Sequence, residues 1–380
     1  MVPVYLDHNA TTPVAPEVAE AVASALHDTF GNASSLHAPG QRARRALDEA
    51  RQAVAALVGA DPAGIVFTSG GTESDNLAVR GALEAAPATR RRLVVGAVEH
   101  EAVLNTALAL QRRGWPVTIV PVTSDGVVTP EALAPHLGPD VALVSVMLAN
   151  NETGVVQPVA ALASLAHAAG ARFHTDAVQA IGKIEVDVRE LDVDLLSLTG
   201  HKFGGPKGAG ALWIRRGVPM AGVLTGGRQE RNRRPGTENV PGIVGLGVAA
   251  ELAAGSRNKR AAVAGRRDRL ERAVLAAVPG SVVNGAGAGR VPNTTNISFP
   301  GAEAESLLIA LDLEGIAVSS GSACSSGTLE PSHVLRAMGL PPARVQSAIR
   351  FSLGPATTDE DIDRVLAVLP GVVERIRRVL

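Results

Sequence analysis

Lysine is scarce in this chain. Any reaction that needs an amine must use Lys183, Lys202, Lys207 or Lys259, because arginine supplies almost all other positive charge. Lys202 ends the run Asp194-Leu195-Leu196-Ser197-Leu198-Thr199-Gly200-His201-Lys202, so it follows an apolar strand and a glycine. Burial beside apolar surface lowers a lysine's proton affinity and turns its amine into a nucleophile for carbonyl groups. The plainer reading is a solvated lysine on a loop. An acid stands earlier, in Phe173-His174-Thr175-Asp176-Ala177-Val178-Gln179. At a buried strand end, Asp176 could keep a ring nitrogen protonated. Otherwise it caps a helix.

Other segments carry groups of the same kind. Ser69-Gly70-Gly71-Thr72 follows a strand and opens a helix. Unpaired N–H groups at such a place favour an anion by about 0.3–1 kcal/mol; taken alone, the segment reads as a helix cap. His100, in Val98-Glu99-His100-Glu101, could stack on a ring and move protons near neutral pH, or cap the next helix. Asn151 follows the strand Val141 to Met147. Arg350 interrupts the apolar run Ala348-Ile349-Arg350-Phe351-Ser352, where a two-point grip on a carboxylate would explain its charge. Cys324, the one cysteine, lies in Val318-Ser319-Ser320-Gly321-Ser322-Ala323-Cys324-Ser325-Ser326-Gly327. A lone cysteine is often a small buried hydrophobe. Here the neighbours are too small to bury it, and a free thiol is already strongly nucleophilic. Asp176 and Lys202 on successive strand ends suit a pyridoxal site.

The elements that must hold these residues alternate. Gln41–Val58 has helical spacing, Gly64–Thr68 reads as a strand, and Ser74–Glu84 as a helix. Strands follow at Leu93–Gly96, Pro116–Val120 and Val141–Met147, then a helix at Ala160–Ala169. Ala171–Thr175, Leu195–Leu198 and Gly210–Ile214 are further strands. This order predicts an α/β fold with a mostly parallel sheet, whose ligands sit at the carboxyl ends of the strands. Beyond Pro241 the pattern changes. One long Ala/Arg-rich helical stretch is expected over Gly242–Val278, then strands at Ser281–Val283 and Asn293–Phe299. Gly285-Ala286-Gly287-Ala288-Gly289 between them lacks dinucleotide-binding spacing and reads as a flexible hairpin loop. There is no internal repeat. We expect a large cofactor-binding domain over 13–250 and a smaller α+β domain from 1–12 and 251–380 that carries the cysteine loop.

Composition narrows the function. A chain of 380 residues buries enough surface to need no staple. Net charge is −1, without a basic stripe, which argues against nucleic acid or an anionic membrane as ligand. One cysteine makes no internal disulfide and no cysteine-based metal site within the chain. The start, Met1-Val2-Pro3-Val4-Tyr5-Leu6-Asp7, has no leader pattern, and no apolar run is long enough to span a bilayer, so a cytoplasmic protein is expected. Aromatic residues are only 2%, which leaves a cofactor ring few aromatic neighbours.

Taken in order, these segments resemble the cysteine desulfurases, within the class V aminotransferases of pyridoxal-phosphate fold type I. The resemblance runs from Tyr5-Leu6-Asp7 and Ala10-Thr11-Thr12-Pro13 to Arg350-Phe351-Ser352-Leu353-Gly354. Its motifs include Thr68-Ser69-Gly70-Gly71-Thr72-Glu73-Ser74-Asp75-Asn76, Asn150-Asn151-Glu152-Thr153-Gly154 and Arg234-Pro235-Gly236-Thr237-Glu238-Asn239. His174–Gln179, Ser197–Lys202 and Ser319–Cys324 complete the set. The resemblance implies pyridoxal 5'-phosphate as cofactor and L-cysteine as substrate. Lys202 would hold the cofactor covalently and move protons, His100 would stack on the ring and act as acid and base, and Asp176 and Gln179 would meet the ring nitrogen and ring hydroxyl. Gly71, Thr72, Thr199 and His201 would hold the phosphate, with Thr237 from the other subunit of a homodimer. Asn151 and Arg350 would hold the substrate carboxylate. Cys324 would take the sulfur as a persulfide, leaving L-alanine. Ser325–Glu330 is similar to the long loop of the family's first group, whose members pass sulfur to scaffold proteins. Two features depart from the pattern. Thr199 replaces a common serine but keeps the hydroxyl, and Val379-Leu380 ends the chain without the extension that some relatives use on an iron–sulfur scaffold. The acceptor protein therefore stays open among iron–sulfur assembly, tRNA thiolation and DNA sulfur modification. A selenocysteine lyase or β-lyase on the same fold would not need Cys324. A partner protein without catalysis would not need Lys202 or Cys324. A dehydrogenase would need other glycine spacing.

Overall fold

The computed structural model describes residues 3–378, except Arg257 and the segment 322–330. Of that segment only the backbone pairing of Cys324–Ser325 with Thr328–Leu329 is described. The central sheet has seven strands. Across it they run Ile65–Thr68, Gly210–Ile214, Leu195–Thr199, Arg172–Asp176, Val141–Ser145, Arg92–Gly96 and Val117–Val120. Val141–Ser145 and Leu195–Thr199 are buried along their whole length, as expected for strands covered on both faces. Successive residues serve opposite layers. Ile65 and Phe67 pack with the helices Ala38–Leu57, Val159–Ala168 and Val240–Gly255, whereas Val66 packs with Gly71–Glu84 and Glu101–Arg112.

The alternation of elements predicts parallel pairing, and one strand departs from it. Gly210–Ile214 is antiparallel to both Ile65–Thr68 and Leu195–Thr199. Residues 200–209 are too few for the helical crossover that a parallel neighbour needs, so the chain turns straight back. This brings Gly210 to the edge where Thr68, Asp176 and Thr199 end. A side chain at Gly210 would lie 2.7 Å from Gly70 Cα, so a glycine there lets the turn after Thr68 fold across the strand.

The second core lies around the strands Ala348–Ser352, Thr294–Ser298 and Val282–Val283, all antiparallel. Leu6 from the start of the chain packs there with Phe299, Phe351, Leu270 and Val365. The single helix expected over Gly242–Val278 is two, Val240–Gly255 and Lys259–Ala277. The first packs Ile243 and Leu246 on the large core, and the second packs Val263 and Leu270 on the small one. One straight helix could not serve both. The glycine-rich loop is a hairpin, as expected, but it is tied down: the Gly287 N–H donates to Asp125 Oδ1 at 2.9 Å.

A buried ion pair fixes the loop that leads to Thr237. Arg51 Nη1 and Nη2 donate to Glu230 at 2.8 and 2.7 Å, and Glu230 also accepts from the Phe67 N–H. The guanidinium stacks 4.5 Å over the Phe67 ring. Glu230→Ala would strand a buried guanidinium, so urea denaturation should show a loss of about 3–5 kcal/mol. An unchanged midpoint would contradict this account.

Candidate active site

The carboxyl ends of the strands open on a cavity of about 550 Å³. It is lined by Gly71, Thr72, His100, Asn151, Asp176, Gln179, Thr199, His201, Lys202 and Arg350, all singled out from the sequence. Thr237 is exposed and does not line it. The side chain of Cys324 lies outside the described residues, as do the side chains from Ser325 to Glu330, the stretch that resembles the family's long loop.

Lys202 closes a single helical turn, Gly200–Lys202, directly after the strand Leu195–Thr199. Its Nζ donates to the carbonyls of Asn9 and Ala10 at 2.5 and 2.8 Å. Burial, with help from the Arg350 charge, pulls its pKa down to about 8, against the opposing pull of Asp176 and Asp7. A free amine is therefore available at a lower pH than for an ordinary lysine. Attack on an added aldehyde should speed up from pH 7 to pH 9 and level off above it. A rise that begins only near pH 10, read by stopped-flow absorbance, would exclude this environment for Lys202.

Asp176 ends its strand and accepts from the Val178 N–H at 2.9 Å. Burial raises its pKa, while His100 and Lys202 oppose the rise. Beneath it, burial pushes Asp75 and Glu99 well up, and repulsion from Asp176 adds to both. Among the described residues no cationic side chain hydrogen-bonds Asp176. A buried acid in that position suits a cationic ring nitrogen.

The readings of His100 as cap and as cavity residue both hold. Its Nδ1 accepts from the Ala102 N–H at 3.1 Å, at the start of the helix Glu101–Arg112. In the neutral ring this leaves the proton on Nε2. Thr72 is not the cap expected from the sequence. The helix begins at Gly71, with Gly70 before it, so Thr72 stands in the first turn, where backbone N–H groups lack helical partners. A side chain at Gly71 would lie 2.9 Å from Val178 Cγ2, so the turn stays bare. His201 bonds Thr11 Oγ1 through Nδ1 at 3.2 Å, and burial with Lys202 and Lys207 lowers its pKa to about 4. It is neutral at physiological pH.

Arg350 projects from Ala348–Ser352. Its Nη2 donates to Asp7 Oδ1 at 2.6 Å and its Nη1 to the Asn151 carbonyl at 2.9 Å. Among the described residues, two buried atoms at this corner have no partner, Arg350 Nε and Asn151 Oδ1. One requires an acceptor and the other a donor, and an amino acid carries both. The site thus fits an amino-acid substrate, and the bare turn, the neutral-prone amine and an acid without a cationic partner among the described residues fit a phosphorylated pyridine aldehyde.

Sequence reasoning passed over several lining residues. Asn9, Glu152, His333 and Arg336 are all on the cavity wall. Asn9 is 193 residues from Lys202, and nothing in local spacing points to it. Lys183 was visible as one of four lysines. It is buried and bonds Gln179, four residues before it.

Comparison with known proteins places the chain in a family. The family described as aminotransferase class-V matches residues 4–365. A cysteine desulfurase of Cereibacter sphaeroides is 54% identical over 98% of this chain and 96% of its own. The solved structure of a NifS-like protein superposes with TM-score 0.89 at 36% identity, covering 100% of this chain and 99% of that one. A structure titled SspA in complex with cysteine superposes with TM-score 0.81 at 33% identity, over 93% and 99%. The chain therefore belongs to the class-V aminotransferase family and, within it, to the cysteine desulfurases.

Proposed function

We propose that this enzyme uses pyridoxal 5'-phosphate to take sulfur from L-cysteine and carries it on Cys324 as a persulfide. The observation that supports this best is the convergence of Lys202, Asp176, His100 and Arg350 on one cavity, from segments far apart in the chain. Bound pyridoxal phosphate supplies an electron sink for the bonds at the substrate's Cα. The protein does the rest. Lys202 would hold the cofactor and move the Cα proton, and His100 would move a second proton. Asp176 would meet the ring nitrogen and Gln179 the ring oxygen. Gly71, Thr72, Thr199 and His201 would hold the phosphate. Arg350 and Asn151 orient the substrate carboxylate. The Cys324 thiolate attacks the substrate sulfur: the S–S bond forms, the Cβ–S bond breaks, and Cβ takes up a proton, so L-alanine leaves. We assign 13–250 to the cofactor-binding domain and 1–12 with 251–380 to the small one, in line with the two cores. The persulfide is then passed to a protein acceptor. No described helix is long and apolar enough to cross a membrane.

The direct test is product balance. L-cysteine with a reductant should yield L-alanine and sulfide in equal amounts. Pyruvate and ammonia in place of alanine would point to a β-lyase.

Arg350→Lys tests the substrate grip. A charged hydrogen bond contributes about 1.5–3 kcal/mol, and lysine cannot make the paired contact. The KM for cysteine should rise roughly 10- to 100-fold, with the cofactor spectrum nearly unchanged. Kinetics equal to the parent's would remove Arg350 from the site.

Assembly follows from Thr72 and Thr237. Thr72 is exposed although it lines the cavity, and Thr237 is exposed away from it. A second copy that brings its Thr237 to the phosphate would close the site and couple cofactor binding to dimerisation. Sedimentation of the loaded protein should give a dimer of 38.9 kDa chains. A monomer with full cofactor occupancy would contradict this.

A further inference from the structure

Lys183 has no part in the chemistry above, yet it is buried beside the cavity. It sits one turn after Gln179, where the Ile184 N–H donates to the Ala180 carbonyl at 3.0 Å. Its Nζ donates to Gln179 Oε1 and, at 2.8 Å, to Asn9 Oδ1. The charges that act on it are those of Lys202 and Arg350, both positive like its own. Burial and these neighbours hold its pKa well below the ordinary lysine value. As a stabilising charge, the residue is badly placed. An apolar side chain of similar volume would cost less there.

The contact with Gln179 gives it a use. A glutamine amide has one acceptor oxygen and one NH2 donor group. Here Oε1 is held by Lys183, and one N–H of Nε2 donates to the Asn9 carbonyl at 2.9 Å. That carbonyl also accepts from Lys202, so it is the weaker of the two constraints. Turning the amide over would set its N–H groups against those of Lys183. The group left free on Gln179 is an N–H.

We infer that Lys183 is a positioning residue that makes the Gln179 amide a donor only, so that the cofactor's ring oxygen is held in its ionised form. The inference rests on the proposed pyridoxal site and names how that site tunes its ligand. A donor that is always present favours the charged form of the oxygen it meets. Without Lys183 only the Asn9 carbonyl holds the amide, Oε1 is presented for part of the time, and the ring oxygen becomes more basic.

The test is a pH titration of the visible absorption band of the pyridoxal-phosphate-loaded protein. Lys183→Met, or Lys183→Ala should the first not fold, should move the midpoint up by about one unit, a tenfold rise in proton affinity. Lys183→Gln keeps an N–H for Gln179 and should titrate like the parent. In a Gln179→Leu background, Lys183→Met should cause no further shift, because the two act as a unit. An unshifted midpoint in Lys183→Met overturns the inference. So does a full shift that survives in the Gln179→Leu background, since Lys183 would then act by its own charge. A parent protein with no visible band would instead sink the pyridoxal reading itself.

Discussion

Cys324→Ser should abolish sulfur release from L-cysteine while leaving cofactor binding intact. Cys324 is the only thiol, so a protein-bound persulfide has no other place to form. A hydroxyl has the shape of the thiol but is scarcely ionised at neutral pH and is a poor nucleophile towards sulfur. Loss of a catalytic nucleophile elsewhere costs roughly 10³–10⁶-fold, and a loss of that order is expected here. Lys202, Asp176, His100 and Arg350 on the cavity wall come from other segments, so the variant should still bind pyridoxal phosphate and cysteine. In the parent, mass spectrometry after cysteine treatment should find one extra sulfur on the Cys324 peptide. A serine variant that desulfurates cysteine at the parent rate would mean a different lyase.

Lys202→Ala should remove both covalent attachment of the cofactor and turnover. Proton transfer by a placed side chain contributes roughly 10²–10⁴-fold, and losing the attachment adds to that. Borohydride reduction of the parent, followed by peptide mapping, should place the adduct on Lys202. Lys183 is the serious competitor, because it too is buried and its pKa is lowered. Its nitrogen, however, is engaged by Gln179 and Asn9 side chains, whereas Lys202 lines the cavity. An adduct on Lys183, Lys207 or Lys259 would overturn the assignment.

Much of this was legible before any coordinates. The strands declared themselves because they are short apolar runs, and each candidate polar residue stood just after one. Asp176, Lys202 and His100 could be found in this way, since a sheet fold gives meaning to the place where a strand ends. The reverse run of Gly210–Ile214 depends on connection length rather than on composition, so alternation misread it. The break at Ser256 depends on which core each half of the helix meets, and helical spacing is blind to that. Asn9 was out of reach for a related reason. Its importance lies in partners from distant segments, and one sequence does not pair them.

The ion pair between Asp7 and Arg350 joins residues 343 apart in the chain. At about 5–20 residues per second, the ribosome makes Asp7 roughly 20–70 s before its partner. For most of that interval the first strand, Val4–Tyr5, also waits for Ile316–Ala317. Nascent chains stalled before Ala348 would therefore hold a folded large sheet with one wall of its cavity missing. Such chains lack the arginine that grips the substrate carboxylate and should turn over no L-cysteine, whereas released full-length chains should. Activity then becomes a late event in synthesis, a checkpoint that only a nearly finished polypeptide passes.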